Sequence, residues 1–168
     1  INQTTPLVNN FYYEFQSNQP NAIESDLPIM VAQYITTTNS YGNVNNGNGD
    51  PEMIYLSPVE QTINKVTLYS ANKNAILQSY INVVLKKGGE NSFTLDGVLQ
   101  TANFITHPGD ANYKYAILKV STGNHNLYSD TGYNAIAYGF GTAESYGYNA
   151  GTNVKDFSQT ASFQNPYG

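Results

Sequence analysis

Chemistry in a chain of this kind would have to come from a small set of side chains. There is no cysteine among the 168 residues and there are only two histidines, His107 and His125. Thiolate ligands, disulfides and thiol nucleophiles are therefore absent, and an activated serine would need one of those two imidazoles as its base. No Gly-x-Ser-x-Gly elbow accompanies them. Asp130-Thr131-Gly132 spells the aspartic-protease triplet, but that reaction needs two such carboxylates sharing a proton and the chain carries one copy. A turn is the favoured role for Ser129-Asp130-Thr131-Gly132, because Asp bonds its own backbone two residues on and Gly accepts positive φ. A glycosidase needs two carboxylates facing each other across a sugar, and none of the twelve acidic residues stands out as such a pair. His107 with Asp110, and His125 with Asp130, have ligand-like spacing without a nameable third ligand. Asn48, Asp50 and Glu52 place alternate oxygens on a Gly-rich loop, as a hard cation needs, so Ca²⁺ is the one cofactor the sequence offers. A solvated turn is the commoner role for such a loop. The expectation is a protein that is not an enzyme.

The composition supplies contact surface rather than reactive groups. Only 11% of residues are charged, against 13% aromatic with fifteen tyrosines, and Asn, Ser, Thr and Gln supply the remaining polarity. Tyr offers a rigid ring with a polar tip, and Asn a donor and an acceptor without charge. The richest stretch runs from Gly123 to Gly151. Tyr128, Tyr133, Tyr146 and Tyr148, with Asn126 and His125, are the candidate ligand-binding residues, a set suited to a glycan or a protein partner. A net charge of −5 with no arginine argues against nucleic acid and anionic membrane, since neither a basic stripe nor a bidentate phosphate fork exists. No apolar run reaches the ~20 residues of a membrane span, so direct insertion is not expected. The chain begins at Ile1 rather than Met, as a processed chain or an excised piece would.

The elements that must hold these residues read as strands. Phe11 to Gln16 alternates and predicts a first strand after an entry arm over residues 1–10. Leu27 to Thr36 is almost continuously apolar, which predicts an inner strand covered on both faces. Residues 39–51, rich in Asn and Gly, form a loop. Met53 to Ser57 and Ile63 to Ser70 predict strands, with one helical turn at Ser57-Pro58-Val59-Glu60 from its capping-box spacing. Asn74 to Lys87 fits both a helical and a strand period; Ile81, Val83 and Val84 favour strand over its second half. Short strands follow at Ser92 to Leu95, Gly97 to Thr101, Asn103 to Thr106 and Asn112 to Ser121. Between Gly132 and Gly141, Asn134, Ile136, Tyr138 and Phe140 alternate with Tyr133, Ala135, Ala137 and Gly139, whose small members leave room for another sheet across that face. With the turn at Ser129 to Gly132, this predicts a hairpin entered by Asn124 to Tyr128 and left by Tyr138 to Gly141. Residues 152–168 are expected to be an edge strand or linker. A short echo, Ser25 to Tyr34 against Ser129 to Tyr138, reads as two similar strands after similar turns.

About ten short strands punctuated by turns predict a single all-β domain over 1–168, an antiparallel β-sandwich of jelly-roll or Ig-like type with at most one or two helical turns.

SDLPIMVAQY, GDPEMIYLSPVEQTI, SYINVVLKKG with FTLDG, and GYNAIAYGFGTAESYGYNAGT occur in that order across most of the chain. On these blocks the chain resembles the IgGFc-binding protein N-terminal domain family, and more closely its members in large surface proteins of Gram-negative gliding bacteria. The resemblance covers the C-terminal half of the family domain, which implies an adjoining β domain upstream. It also implies an extracellular or cell-surface location and a part in adhesion or recognition. Family members often carry a Cys before the GDPEM block, and this chain has none there. Binding of Fc itself is not carried over, because no residue here matches such a site. The alternative is a structural repeat or assembly subunit of a surface fibre, with a glycoside hydrolase or other hydrolase a distant third.

Overall fold

The computed structural model describes residues 6–8, 10–35, 49–73 and 75–153. Ten strands occur there: β1 Ala32–Ile35, β2 Glu52–Tyr55, β3 Ile63–Ser70, β4 Ile76–Lys86, β5 Thr94–Leu95, β6 Val98–Leu99, β7 Ile105–Thr106, β8 Tyr113–Val120, β9 Gly123–Gly141 and β10 Glu144–Asn149. Two single 3₁₀ turns, Gly89–Asn91 and Thr101–Asn103, are the only helical elements among the described residues. None is long and apolar enough to cross a membrane. All pairings are antiparallel.

β9 organises the molecule, because its two halves belong to different sheets. Its first half runs between β5 and β3, giving the order β6-β5-β9-β3. Its second half runs between β4 and β10, giving β10-β9-β4-β8-β7. The change of sheet falls at Ser129 to Gly132. There the register with β3 passes from Tyr128↔Lys65 to Tyr133↔Ile63, five steps along β9 against two along β3. Surplus residues on one strand bend it and sharpen its twist. The Asn64 amide donates to the carbonyls of Ser129 and Asp130, both at 2.9 Å, and so satisfies groups that the ladder leaves out. Gly132 has φ 81°, and a Cβ there would come within 2.6 Å of Thr62 Oγ1.

The bend brings the two sheets together in a sandwich-like all-β fold around one apolar cluster. Leu68 and Leu127 contribute from the first sheet, and Ile81, Val83, Leu85, Ala116, Leu118, Ala135 and Ala137 from the second. Phe93 packs edge-to-face on both Phe104 and Tyr133, with ring centroids 5.2 and 5.1 Å apart. Alternation built this core: along β4, Ser79, Ile81, Val83 and Leu85 are buried while their neighbours are not. The β1–β2 ribbon lies against β10, where Ile54 fills the space above Gly147.

The all-β antiparallel class holds, and several local expectations do not. Ser129 to Gly132 is no hairpin turn; turn residues here kink a strand that continues for 19 residues. Phe11 to Gln16 forms no strand and exposes Phe11 and Tyr12 by 72% and 81%, for alternation makes two faces but cannot supply a partner edge. Only Ala32–Ile35 of the predicted inner strand pairs, with Gln33 and Tyr34 exposed, so it is an outer ribbon; Thr36 lies outside the described residues. Pro58 begins a turn closed by Gln61 N–H donating to Pro58 C=O at 3.0 Å, not a helix. Residues 76–86 are strand throughout, because β8 and β9 flank them on both edges. Residues 25–31 have no regular structure while 129–138 lie inside β9, so the sequence echo marks no structural repeat. The low-complexity loop falls almost wholly in residues 36–48, and the tail mostly in 154–168; both lie outside the described residues.

Candidate functional site

The outer face of the first sheet gathers exposed polar and aromatic side chains. Along the first half of β9, His125, Leu127 and Ser129 point inward, leaving Asn124, Asn126, Tyr128 and Asp130 outside. On β3 the inward set is Val66, Leu68 and Ser70, and the outward set Lys65, Thr67 and Tyr69. Register then places Tyr69 opposite Asn124, Thr67 opposite Asn126 and Lys65 opposite Tyr128. The Tyr69 and Tyr128 rows lie four residues apart, about 13 Å at ~3.3 Å per residue. Both rings are close to half exposed, at 50% and 44%.

Hydrogen bonds fix this face from its edge and from beneath. Asp96-Gly97 is a two-residue hairpin loop with φ 52° and 79°, the positive pair that a type I′ turn requires. Asp96 N–H donates to Asn126 C=O at 2.8 Å, and Asn126 N–H returns a bond to Asp96 Oδ1 at 2.8 Å. Thr67 Oγ1 donates to Asn126 Oδ1 at 2.7 Å, which turns the two amide hydrogens away from Thr67. From inside the sandwich, His125 Nδ1 meets Asp96 Oδ2 at 2.7 Å and Nε2 lies 2.9 Å from Ser121 C=O. Burial disfavours the Asp96 anion, but the Asn126 N–H bond and the His125 interaction outweigh it and hold the carboxyl below its usual range. Tyr128 Oη donates to Asp130, whose bond and negative charge push the phenol above its ordinary value. The face thus carries rings, amides, a hydroxyl and few net charges. It can stack on and hydrogen-bond to a ligand, and it holds no activated nucleophile.

Of the residues expected to bind ligand, Tyr128 and Asn126 lie on this face and four do not. His125 is buried at 5% exposure and serves Asp96 from behind. Tyr133 is fully buried against Phe93, and its hydroxyl has no hydrogen-bond partner. Burial raises that phenol well above its ordinary value, opposed only partly by the nearby Val66 backbone, which is not in hydrogen-bonding geometry. Tyr146 and Tyr148 turn inward from β10 and spend their hydroxyls on Ser79 Oγ at 3.0 Å and on the Tyr69 backbone. His125 and Tyr133 are thus buried, and the partly buried Tyr146 and Tyr148 have their hydroxyls engaged within the fold. Beside Tyr128 and Asn126, the outer face presents Tyr69, Thr67 and Asn124. The alternation of Lys65, Thr67 and Tyr69 was readable in the sequence, whereas their apposition to β9 required the register.

The remaining chemical candidates have structural roles. His107 Nδ1 accepts Gly109 N–H at 3.1 Å and its ring packs edge-on to Tyr115, while Asp110 accepts Asn112 N–H at 2.9 Å. Glu90 and Lys114 form a pair at 2.7 Å. Burial opposes the Glu90 anion, and the Lys114 bond and backbone N–H groups overcome it, lowering its carboxyl. Asp50 donates its N–H to Ser145 Oγ at 2.8 Å, and Glu52 sits in β2 opposite Ile35; Asn48 lies outside the described residues. Among the described residues no three His, Asp or Glu side chains gather to hold a metal. A shallow cleft of about 380 Å³ between β2 and β10 is lined by Tyr55, Ser57, Gln61, Asn149 and Thr152, among others. Its polar groups bond one another, Asn149 to Ser57 at 2.7 Å and Thr152 to Gln61 at 2.9 Å.

A family model described as IgGFc binding protein matches residues 1–139. The match takes in the whole outer face of the first sheet and ends inside β9, before β10. No curated protein and no solved structure matches the chain.

Proposed function

Because the chain belongs to the IgGFc-binding protein family, we propose that it is an extracellular, non-catalytic recognition module that holds a glycan or a cell-surface protein on the outer face of β3 and β9. The observation that carries this reading is the cross-strand set Tyr69–Asn124, Thr67–Asn126 and Lys65–Tyr128. It joins two half-exposed rings to the Asn126 side-chain amide, whose orientation Thr67 fixes, on a backbone that Asp96 holds. Ring faces suit the apolar faces of sugars and protein side chains, and fixed amides discriminate between hydroxyl patterns or peptide groups. Adhesion at a cell surface is the biological setting this implies.

Glycan and protein arrays probed with the whole chain test the reading. Tyr69→Ala with Tyr128→Ala should lower affinity for any captured ligand by at least tenfold, about 1.4 kcal/mol, without loss of fold. A ligand held equally well by the double variant would place recognition elsewhere.

The alternative of an assembly subunit draws on a different observation. Phe11, Tyr12, Leu27 and Met30 are each more than 70% exposed along the irregular segment before β1. Exposed apolar groups in series suit a protein contact, such as an adjoining β domain. Concentration-dependent sedimentation that disappears in Phe11→Ser with Tyr12→Ser would favour this reading.

A further inference from the structure

Register decides which backbone groups of β3 face β9. Asn126 directs both its N–H and its C=O toward Asp96, away from β3. Thr67, directly opposite, therefore sits in a non-hydrogen-bonded pair, and its own N–H and C=O point outward. Lys65 and Tyr69 share that parity. Since β3 ends its sheet among the described residues, these three positions form an edge able to accept another strand. At Tyr69 the edge is closed. Tyr148 Oη accepts Tyr69 N–H at 3.1 Å and donates to Tyr69 C=O at 2.8 Å, so one hydroxyl satisfies both outward groups. Tyr148 comes from β10, the edge strand of the other sheet, and its ring stacks on Tyr146.

We propose that Tyr148 guards the edge of β3, and that the strand it keeps out is β3 of a second copy of this chain. The edge is self-complementary about Thr67. In an antiparallel pair centred there, Thr67 meets its own copy and Lys65 lies beside the ring of the second copy's Tyr69, an ammonium against a π face, twice by symmetry. With Tyr148 in place the phenol oxygen takes the position that the N–H and C=O of an incoming strand, running about 4.8 Å from β3, would need at Tyr69. Only Lys65 to Thr67 then remains to pair, shorter than an ordinary strand. The inference rests on backbone geometry and stands whether or not the outer face binds a glycan.

Sedimentation equilibrium of the full chain tests it. Tyr148→Phe keeps the ring and its packing and removes both bonds. Wild type should remain monomeric, while Tyr148→Phe should self-associate at least tenfold more strongly. Adding Tyr69→Lys, an exposed change that sets ammonium groups opposite each other across the pair, should restore the monomer. Thr67→Pro, which removes an outward N–H, should do the same. At dilutions where Tyr148→Phe is monomeric, amide exchange at Tyr69 should accelerate, showing that the edge was opened, and it should slow again as the variant associates. A folded Tyr148→Phe variant with fast Tyr69 exchange that stays monomeric would overturn the proposal. So would a dimer indifferent to both added substitutions, or a wild-type dimer that Thr67→Pro dissolves.

Discussion

At the scale of single residues, the two depressed carboxyls make stability sensitive to acid. Asp96 and Glu90 hold their anions more tightly in the folded chain than in the unfolded one. The unfolded state therefore takes up protons first as pH falls, and the stabilisation, fully present above the ordinary carboxyl values near 4, is lost as pH drops through the lowered ones. Urea midpoints measured from pH 6 to pH 2.5 should show this loss, and Glu90→Gln with Asp96→Asn should flatten it. The Glu90–Lys114 pair also has a directional test. Lys114→Met leaves Glu90 buried without its cation and should cost about 3 kcal/mol, whereas Glu90→Leu with Lys114→Met should recover most of that. Tyr133 runs the other way: its hydroxyl is buried without a partner, so Tyr133→Phe should be neutral or stabilising in a thermal melt. Tyr138 is linked similarly to alkaline pH. Burial first, and the neighbouring Tyr80, push its phenol up to about 12 despite the Asn82 bond. Its ionisation should appear in an ultraviolet titration after that of exposed tyrosines.

At the scale of elements, the bend in β9 distinguishes two glycines that share positive φ. Gly97 turns the β5–β6 loop in open space, so Gly97→Ala should cost only the left-handed backbone penalty, about 1 kcal/mol. Gly132 sits against Thr62, and Gly132→Ala adds that clash to the same penalty. Its loss in a denaturant titration should be the larger by about 1 kcal/mol or more. Asn64→Ala, which strips both bonds from the bend, should cost about 1 to 3 kcal/mol, chiefly because buried Ser129 loses a donor to its carbonyl, whereas exposed Asp130 can turn to water. Equal effects at Gly97 and Gly132 would mean that the bend yields where the structure has it packed. The same bend shows why turn chemistry was legible and its outcome was not. Asp130 and Gly132 specify a local departure from straight strand; whether the chain then doubles back depends on which edges lie beside it, here β3 and β5 before the bend and β4 and β10 after it.

At the scale of the whole molecule, far-ultraviolet circular dichroism should be that of a β protein, with helix below about a quarter of the chain. The sequence by itself determined the class. Period-two alternation in β3 and the second half of β9, with turns at Asp96-Gly97 and Pro108-Gly109, favours strands, because a one-residue step moves a side chain between core and solvent; residues 74–87 fit a helical period as well, and there pairing with β8 and β9 decided. The sequence also grouped side chains by side, Tyr133 with Ala135, Ala137 and Gly139, but only the structure shows that side to be buried, Tyr133 included. Absence of cysteine excluded thiol chemistry, and a negative net charge without arginine argued against nucleic acid and anionic membrane. Tertiary structure alone decided which alternating runs became strands. Phe11 to Gln16 alternates as regularly as Ile63 to Ser70, yet only the latter finds a partner edge. It likewise decided which tyrosines lie on the outer face of the first sheet, since a register between residues about sixty apart sets Tyr69 and Tyr128 on one side of it, while Tyr148 is drawn inward to a backbone in the opposite sheet. Side-chain period is a property of neighbours along the chain; pairing is a contest among edges distant in sequence, settled only when the whole sandwich closes.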